Sequence, residues 1–469
     1  MRIKLSFLGA ARNVTGSRFM VEADGLKVLV DCGLYQERDF LKRNWDPFPV
    51  PPAELDAVLL THAHLDHCGL LPKLVREGFA GRIYCTRATA EIARIILLDA
   101  GHLQEEDAVY KLKRHGKEGR TGPYPVVPLY TAQDARSVFP LFAPVDYCQP
   151  VALSKRVKAL FQNAGHVIGA SIITLHVKGD GQYRTILFSG DVGRANMPIL
   201  QDPAVLDHAD YVLVESTYGG RLHQDTEDVL ARLAEIIVGT VKAGGNVIIP
   251  SFALERSQDL LYHLNKLRVS RRIPDVKVFL DSPMAISITK VFEEHPELFD
   301  QEVARMMSQR MSPFGFPGLR MTQTTEESKE INTMAEPVIV IAGSGMCTGG
   351  RIKHHLANNI TRAESTILFV GYQAAGTLGR TIVDGAREVR ILGKTYPVKA
   401  RVEQMGGFSA HADRDELRQW LSGMEERPPR KVFVVHGESD SAEEFASFLR
   451  DKTGWEVNVP AYGDRVTLN

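Results

Sequence analysis

The sequence has little of what marks secreted, membrane-bound or strongly charged proteins. Its 469 residues include five cysteines and no CxxC pair, which argues against a disulfide framework. No run of 18 apolar residues occurs, and the apolar N-terminal stretch is too short for a signal peptide, so we expect a cytoplasmic protein without membrane contact. Lys and Arg total 56 against 57 Asp and Glu, so overall charge gives no argument for nucleic-acid binding.

One short segment carries most of the chemical information. Residues 61–69 read T-H-A-H-L-D-H-C-G and follow the apolar run 57–60. Imidazole and carboxylate groups suit zinc, so this segment favours metal binding. His62 and His64 can face one way while Asp66 and His67 reach a second position, which implies two metals. A lone histidine near a strand end is usually structural, but four ligand-type residues in six positions are poorly explained that way.

Two later segments place further ligand types at strand ends. N-A-G-H-V-I-G (163–169) carries a histidine in a glycine-flanked turn, and F-S-G-D-V-G (188–193) carries Asp191 after a strand. Either segment alone is more often structural. Together with the first cluster they predict that Asp66 and His67 bind one metal and that Asp191 bridges two ions, because cations about 3.5–4 Å apart need a carboxylate between them. The predicted ligands of the other metal are His62, His64 and His166.

The rhythm of hydrophobic residues divides the chain into two domains. Short strands and turns dominate the first part, which is typical of an α/β sandwich. After Gly219, strands alternate with helices, as in a parallel sheet with crossover helices, and short strands resume from about Val398. The middle therefore reads as a domain inserted into the first one. Its predicted strands are Asn246–Pro250, Val276–Leu280, Val338–Ala342 and Thr366–Val370.

The ligand pattern resembles that of the metallo-β-lactamase superfamily, and Asp31 in L-V-D-C-G matches its first motif. Segments V-E-S-T-Y-G (214–219), G-F-S-A-H-A-D (407–413) and V-V-H-G-E (434–438) resemble the signature motifs of its β-CASP branch, which processes nucleic acids. The chain is most similar to the RNases related to the 73-kilodalton cleavage and polyadenylation specificity factor subunit, and to their compact bacterial and archaeal relatives. The implied fold is α/β, a metallo-β-lactamase αββα sandwich with an inserted α/β (β-CASP) domain. We expect the sandwich in residues 1–215 and 396–469 and the insertion in 216–395.

The resemblance also assigns roles to individual residues. It makes His436 the remaining ligand of the second metal, makes Glu215 and His411 a catalytic pair, and gives Asp31 the task of orienting ligands. Phosphodiester hydrolysis needs a nucleophile, charge compensation at phosphorus and a proton for the departing oxygen. A hydroxide bridging two Zn²⁺ ions would supply the first two, with Asp66 orienting it. His411, polarised by Glu215, would donate the proton or clamp a phosphate oxygen.

The inserted domain contains candidate phosphate contacts. The loop I-A-G-S-G-M-C-T-G-G (341–350) lies between a strand and a helix, where backbone N–H groups can bind an anion. It lacks the Walker A lysine, so we expect no nucleotide cofactor. In the resemblance, these segments line the cleft between the domains, although an ordinary glycine-rich turn explains each residue as well. The candidate contacts are Ser251, Arg256, Ser344, Gly345 and Arg380.

The combined interpretation is a zinc-dependent ribonuclease, an endonuclease of single-stranded RNA, with catalytic residues Asp66, Glu215 and His411. We expect the N-terminal RNA-binding extension of archaeal members to be missing. We also expect the large C-terminal domain of RNase J relatives to be missing, and this second absence disfavours 5′-exonuclease action. The sequence leaves open whether the protein forms a homodimer. One alternative is a hydrolase of small esters, lactones or thioesters, which the inserted domain and His411 oppose. The other is a non-catalytic RNA-processing scaffold, which the retained Glu215 and His411 oppose.

Overall fold

The computed structural model describes residues 3–118, 124–179, 181, 183–223, 228–374 and 376–469. The chain forms two compact units, of which unit 1 comprises Met1–Leu222 with Ala410–Asn469 and unit 2 comprises His223–Ser409. These limits differ from the expected ones, which fell after residues 215 and 395. Strand Arg401–Gln404 pairs with Thr366–Phe369 in the sheet of unit 2, so the inserted unit continues past residue 395.

Strands of the described residues are, in chain order, β1 (Ile3–Phe7), β2 (Phe19–Ala23), β3 (Leu26–Val30), β4 (Ala57–Leu59), β5 (Arg82–Thr86), β6 (Phe142–Val145), β7 (Val151–Ala152), β8 (Val157–Asn163), β9 (Ser171–Lys178), β10 (Tyr183–Phe188), β11 (Tyr211–Glu215), β12 (Val247–Pro250), β13 (Lys277–Asp281), β14 (Leu319–Met321), β15 (Val338–Ala342), β16 (Thr366–Phe369), β17 (Glu388–Ile391), β18 (Lys394–Pro397), β19 (Arg401–Gln404), β20 (Lys431–Val435), β21 (Val457–Asn458) and β22 (Arg465–Leu468).

The α-helices of the same residues are α1 (Leu65–Cys68), α2 (Leu71–Arg76), α3 (Arg87–Glu118), α4 (Ala132–Val138), α5 (Val229–Lys242), α6 (Arg256–Val269), α7 (Pro283–Glu294), α8 (Gln301–Ser308), α9 (Thr325–Ile331), α10 (Ile352–Asn359), α11 (Leu378–Val383), α12 (Arg414–Leu421) and α13 (Ser439–Thr453). Side-chain caps define several of their starts. Asp228, for example, accepts a hydrogen bond from the backbone N–H of Ala231 at the start of α5. None of the helices described here combines the length and the apolar composition needed to cross a bilayer.

Unit 1 is built on two mixed sheets. One has the strand order β22-β1-β2-β3-β4-β5-β6 and the other the order β21-β20-β11-β10-β9-β8-β7. Alternate residues of both sheets form one buried core, in which the rings of Phe7 and Phe433 lie 5.1 Å apart and those of Phe19 and Phe188 lie 6.2 Å apart. Helix α3 contacts β5 and β6, and α13 contacts β20 and β21. The sheets therefore face each other, and helices pack on their other faces.

Unit 2 contains a parallel sheet with the strand order β14-β13-β15-β12-β16-β19. The central strand β15, V-I-V-I-A, is buried along its whole length. Such continuous apolar strands are typical of a parallel sheet that is covered on both faces. Strands β17 and β18 form a separate antiparallel hairpin.

The strand order of unit 1 brings together the carboxyl ends of strands that are far apart in sequence. Strands β10, β11 and β20 are parallel neighbours, so Asp191, Glu215 and His436 follow or end them at one edge of their sheet. Strands β3 and β4 are parallel neighbours in the facing sheet, and Asp31 and His62 follow them. Because the carboxyl ends of parallel neighbours lie at the same edge, this topology concentrates polar side chains there.

Candidate metal centre and catalytic pair

The histidine-rich segment changes backbone conformation within a few residues. Extended backbone after β4 carries His62 and His64, and His64 is the N-cap of the single-turn helix α1. Asp66 and His67 lie on that turn. The two pairs therefore point to different positions, although they are almost adjacent in sequence.

The turns that bear His166 and Asp191 lie directly against each other. Gly193 donates a backbone hydrogen bond to Ala164 O at 2.8 Å. A Cβ atom at Gly193 would lie only 2.0 Å from the carbonyl oxygen of Gly165, so a side chain cannot be accommodated there. This close backbone approach brings His166 to the strand end that carries Asp191.

The first group of possible metal ligands is His62, His64, His166 and Asp191. The Nε2 atom of His62 lies 3.0 Å from Nδ1 of His64 and 3.5 Å from Oδ2 of Asp191. The Nε2 atom of His166 lies 3.4 Å from Nδ1 of His64 and 3.6 Å from Oδ2 of Asp191. Four ligand atoms therefore converge on one small volume.

The second group is Asp66, His67 and His436, and Asp191 lies beside it. The Nε2 atom of His67 lies 3.0 Å from Nε2 of His436 and 3.4 Å from Oδ1 of Asp191. The Nε2 atom of His436 lies 3.6 Å from Oδ2 of Asp66. Asp191 thus presents one carboxylate oxygen to each group.

These separations fit bound cations. A tetrahedral ion with bonds of about 2.0–2.1 Å holds its ligand atoms about 3.3 Å apart, close to the spacing within both groups. Asp191 Oδ1 is buried and accepts no hydrogen bond that meets normal geometry from any described residue, so this oxygen is available to a metal ion. The donor set of imidazoles and carboxylates is also one that zinc accepts.

Asp31 lies behind the second group. Its Oδ2 atom accepts a hydrogen bond from Nδ1 of His67 at 2.7 Å, and its Oδ1 atom accepts one from the backbone N–H of Thr61 at 2.8 Å. The Thr61 hydroxyl is within 3.0 Å of both oxygens. A carboxylate in this position determines the tautomer and orientation of a histidine ligand.

Two residues of this region adopt left-handed backbone conformations that residues other than glycine rarely occupy. Asp31 has a φ of 61° and His436 a φ of 51°. Thr217 supports His436, because its Oγ1 lies 3.1 Å from the ring Nδ1 and also donates to the backbone carbonyl of that residue at 3.2 Å. Such strain is retained where surrounding contacts over-determine the backbone, and it is common at functional sites.

Sequence reasoning missed the supporting hydroxyl groups of Thr61 and Thr217. Thr61 directly precedes His62 in T-H-A-H, and Thr217 follows Glu215 by two positions in V-E-S-T-Y-G. A hydroxyl this close to a predicted histidine or carboxylate is the signal that would have pointed to them. Only the fold reveals that Thr217 reaches His436, which is 219 positions away.

His411 and Glu215 form a pair at the edge of this cluster. Glu215 is fully buried, and its Oε1 and Oε2 atoms lie 3.1 and 3.2 Å from Nδ1 of His411. The carboxylate also accepts the backbone N–H of Val192 at 2.7 Å. The ring of His411 lies 4.5 Å from that of His166 and stacks against Tyr218 at 6.1 Å. A histidine oriented in this way can move a proton near the ligand groups.

The pKa values of the histidines at this site are shifted in opposite directions. Burial and the neighbouring His67 hold the pKa of His62 well below its usual value, and burial lowers the pKa of His64 to about 4. Burial also lowers the pKa of His67, but the carboxylates of Asp191 and Asp31 outweigh it and raise that pKa well above the usual value. For His411, the carboxylate of Glu215 outweighs burial and raises the pKa to about 10.

The two serine side chains predicted to contact phosphate in unit 2 form hydrogen bonds within their own loops. The Ser251 side chain is buried, and its hydroxyl donates to Phe252 O. The Ser344 hydroxyl accepts the backbone N–H of Thr348, and helix α10 begins only at Ile352, so the N–H groups of Ser344 and Gly345 precede its first turn. Phosphate binding by these loop groups stays a prediction.

The two predicted arginine contacts have acidic neighbours. Arg256 Nη1 lies 3.8 Å from Asp259, and the guanidinium lies over the ring of Phe408. Arg380 donates from Nε to both carboxylate oxygens of Asp384, at 2.8 and 2.9 Å. Phosphate binding by either arginine also stays a prediction.

Family comparisons match most of this architecture. Residues 20–213 match a metallo-beta-lactamase superfamily domain, 257–382 a Beta-Casp domain, and 395–460 a Zn-dependent metallo-hydrolase RNA specificity domain. Ribonuclease TTHA0252 of Thermus thermophilus is 38% identical over 460 residues, which cover 98% of this chain and 99% of that protein. The chain belongs to the β-CASP family of the metallo-β-lactamase superfamily.

Other relatives of this β-CASP protein extend the comparison. Transcription termination factor FttA of Methanocaldococcus jannaschii is 32% identical over 99% of the chain and 72% of that protein. A solved structure of a protein of unknown function from Enterococcus faecalis has a TM-score of 0.55 at 12% identity, with all of both chains covered, which reports on the fold alone. The comparisons confirm the predicted fold class and the predicted enzyme class, a metal-dependent hydrolase.

Proposed function

We propose that this β-CASP protein is a zinc-dependent endoribonuclease that hydrolyses phosphodiester bonds within single-stranded RNA. The observation that carries the proposal is that Asp191 directs one carboxylate oxygen to each ligand group, next to the pair of His411 and Glu215. The full-length similarity to Ribonuclease TTHA0252 and the match to an RNA specificity domain support RNA as the substrate.

Two zinc ions would be held by the two ligand groups, and Asp191 would contribute an oxygen to each. When bound, the ions lower the pKa of the attacking water and compensate the negative charge of the phosphoryl oxygens. The ligands of the first ion would be His62, His64, His166 and Asp191, and those of the second Asp66, His67, His436 and Asp191.

Side chains of the protein itself would carry out the acid–base chemistry. Burial raises the pKa of Asp66, but the hydrogen bond with His436 and the nearby His67 outweigh it and keep that pKa below its usual value. Asp66 is therefore a carboxylate at neutral pH and can orient the attacking water by accepting a hydrogen bond.

His411 would serve the leaving group. With a pKa raised to about 10, it carries a proton at neutral pH, and Glu215 holds its Nδ1 side. As the water oxygen bonds to phosphorus and the bond from phosphorus to the 3′-oxygen breaks, the imidazolium donates its proton to that oxygen. The products are a 3′-hydroxyl and a 5′-phosphate.

The metal assignment has its own test. We expect the zinc-loaded protein to hold two ions per chain and Asp191→Ala to lose zinc from both groups, because Asp191 contributes an oxygen to each. Asp415→Ala is the matched control, since that carboxylate is more than half exposed and pairs with Arg414. Elemental analysis after dialysis measures the ratio. Retention of two ions by Asp191→Ala would refute a bridging role.

RNA cleavage is tested with an internally labelled single-stranded RNA that is blocked at both ends. The zinc-loaded protein should produce internal cuts, and His411→Ala with the same zinc content should produce few or none. Intact RNA under every metal condition would eliminate the endonuclease. Cleavage of unblocked RNA only would indicate an exonuclease, and turnover of small esters without RNA cleavage would favour the small-substrate hydrolase.

A further inference from the structure

Two exposed aromatic side chains stand at one edge of the sheet in unit 2. Phe252 follows β12 and Tyr372 follows β16, and these strands are parallel neighbours. Their side chains are 45% and 47% exposed, although each belongs to a loop that is otherwise held by internal hydrogen bonds. Since parallel neighbours end at the same edge, both rings lie at the carboxyl end of the sheet.

The ring of Phe252 is held in place from one side. A Cβ atom on Gly345 would lie 2.7 Å from Cδ2 and 2.8 Å from Cε2 of this ring, so the ring rests on the bare backbone of that glycine. The backbone carbonyl of Phe252 also accepts hydrogen bonds from the hydroxyls of Ser251 and Ser257, at 3.1 and 2.7 Å. One surface of the ring is thus packed while nearly half of the residue stays exposed.

The buried side-chain amide of Gln373 joins the loop of Tyr372 to Gly345, the glycine on which the Phe252 ring rests. Gln373 Nε2 donates to the carbonyl of Gly345 at 3.1 Å and to the carbonyl of Tyr372 at 3.1 Å. Gly379 leaves room for the amide, because a Cβ atom there would lie 1.8 Å from Gln373 Oε1. Gly345 therefore connects the two aromatic residues, through ring packing on one side and a hydrogen bond on the other.

We propose that Phe252 and Tyr372 form a platform on which unpaired nucleobases of single-stranded RNA stack. This proposal rests on the proposed function and names the part of the RNA that unit 2 recognises. Aromatic side chains bind successive bases of single strands by stacking, which tolerates any base because every base has a π-face. Paired bases are already stacked within a duplex, so the platform selects single strands.

The polar groups around the platform explain why stacking, and not base-specific hydrogen bonding, is the expected interaction. The hydroxyls of Ser251 and Ser257 donate to the backbone carbonyl of Phe252, and Nε2 of Gln373 donates to the backbone carbonyls of Gly345 and Tyr372. We therefore expect binding to depend on the presence of bases and only weakly on their identity.

The test measures binding in the zinc-loaded His411→Ala protein, so that RNA stays intact, with gel analysis of the RNA after each titration. The probe is a fluorescent ten-nucleotide single-stranded RNA, compared with the same RNA containing abasic sites. Phe252→Ala and Tyr372→Ala remove the platform, and Phe252→Trp keeps a ring. Tyr183→Ala is the matched control, because Tyr183 is 62% exposed and lies at the start of a strand in unit 1.

Each alanine variant of the platform should bind the RNA about 5-fold or more weakly, while Phe252→Trp and Tyr183→Ala should bind like the parent. The alanine variants should also lose the preference for intact over abasic RNA. Unchanged affinity in both alanine variants, or equal loss in Tyr183→Ala, would overturn the platform. Circular dichroism and zinc content, unchanged in each variant, separate this result from unfolding.

The experiments distinguish failure of the stacking platform from failure of the proposed nuclease function. If wild-type protein leaves RNA intact but binds it in a way that depends on Phe252, the platform stands and the proposed function fails. If the wild-type protein cleaves RNA and the alanine variants bind it as tightly as the His411→Ala parent, the proposed function stands and the platform is refuted.

Discussion

Oδ2 of the Asp31 carboxylate lies 2.7 Å from Nδ1 of His67, and both side chains are almost completely buried. This contact turns the other ring nitrogen, Nε2, toward His436 and Asp191. Asp31 thereby decides which nitrogen of His67 faces the second ligand group. The backbone of Asp31 is left-handed, so the chain maintains an uncommon conformation where this contact is made.

Asp31→Asn should weaken zinc binding at the second group while leaving the first group occupied. An amide can present its NH₂ group to Nδ1 of His67 and no longer stabilises the required tautomer, and losses of about 10- to 100-fold in metal affinity are typical for such partners. Competition with a chromogenic chelator measures the affinity. Asp24→Asn, an exposed aspartate in a turn, is the control. Equal affinities in parent and Asp31→Asn would show that Asp31 does not orient the ligand.

Removing the imidazole of His411 should slow RNA cleavage without releasing metal. General acid catalysis contributes about 10²- to 10⁴-fold, so His411→Ala should lose activity on that scale at neutral pH. Single-turnover rates at matched zinc content test this. A His411→Ala protein that cleaves at the parental rate would exclude His411 as the proton donor.

The pH dependence of the Glu215→Gln variant tests the coupling between Glu215 and His411. The Glu215 carboxylate raises the pKa of His411 to about 10 against the opposing effect of burial, so its removal should lower that pKa. The imidazolium, which is the active form, would then be lost at lower pH. We expect the variant to lose proportionally more activity at pH 8–9 than at pH 6, in pH profiles of the single-turnover rate. A profile parallel to that of the parent would contradict the coupling.

Zinc binding should release protons at neutral pH. In the metal-free protein the carboxylates of Asp191 and Asp31 raise the pKa of His67 well above the usual value, so this ring is protonated and a metal must displace the proton. Affinity should therefore fall as pH falls. Calorimetric titrations in buffers of different ionisation enthalpy measure the proton count, and zinc binding without proton release at pH 7 would refute this reasoning.

In unit 2, Asp281 should support stability above acidic pH. Burial raises its pKa, but hydrogen bonds from His355, Ser328, Thr322 and Arg351 outweigh burial and lower the pKa well below the usual value. The stabilisation is then complete above the unfolded-state pKa of about 3.9 and is lost as pH falls through the lower folded-state pKa.

Asp281→Ala should destabilise unit 2 by about 3–5 kcal/mol at pH 7, because it leaves the buried partners of this carboxylate unpaired. Urea denaturation measures the loss, and Asp275→Ala, which alters an exposed carboxylate, is the control. The difference between parent and Asp281→Ala should shrink below about pH 4. A difference that is constant with pH would exclude the ionised carboxylate as its source.

Local patterns in the sequence predicted much of the secondary structure. The predicted strands at Asn246–Pro250, Val276–Leu280, Val338–Ala342 and Thr366–Val370 are confirmed within one residue as β12, β13, β15 and β16. Continuous apolar runs between helices are a strong signal because a parallel sheet is buried on both faces. The short strand β19 was missed as part of unit 2, since R-V-E-Q has little hydrophobic pattern and joins the sheet only by pairing with β16.

The functional site also combines residues that the sequence predicted with contacts that only the fold creates. By itself, the sequence determined the local cluster His62–His67, because strand-then-turn backbone and ligand chemistry are properties of adjacent residues. The glycine turn after a strand pointed to Asp191, and the family motifs pointed to Glu215, His411 and His436. Only the tertiary structure decided that these residues meet, that Asp191 gives one oxygen to each group, and that Thr217 supports His436. Such contacts depend on strand order and on close approaches such as that of Gly193 to Gly165, which no local pattern encodes.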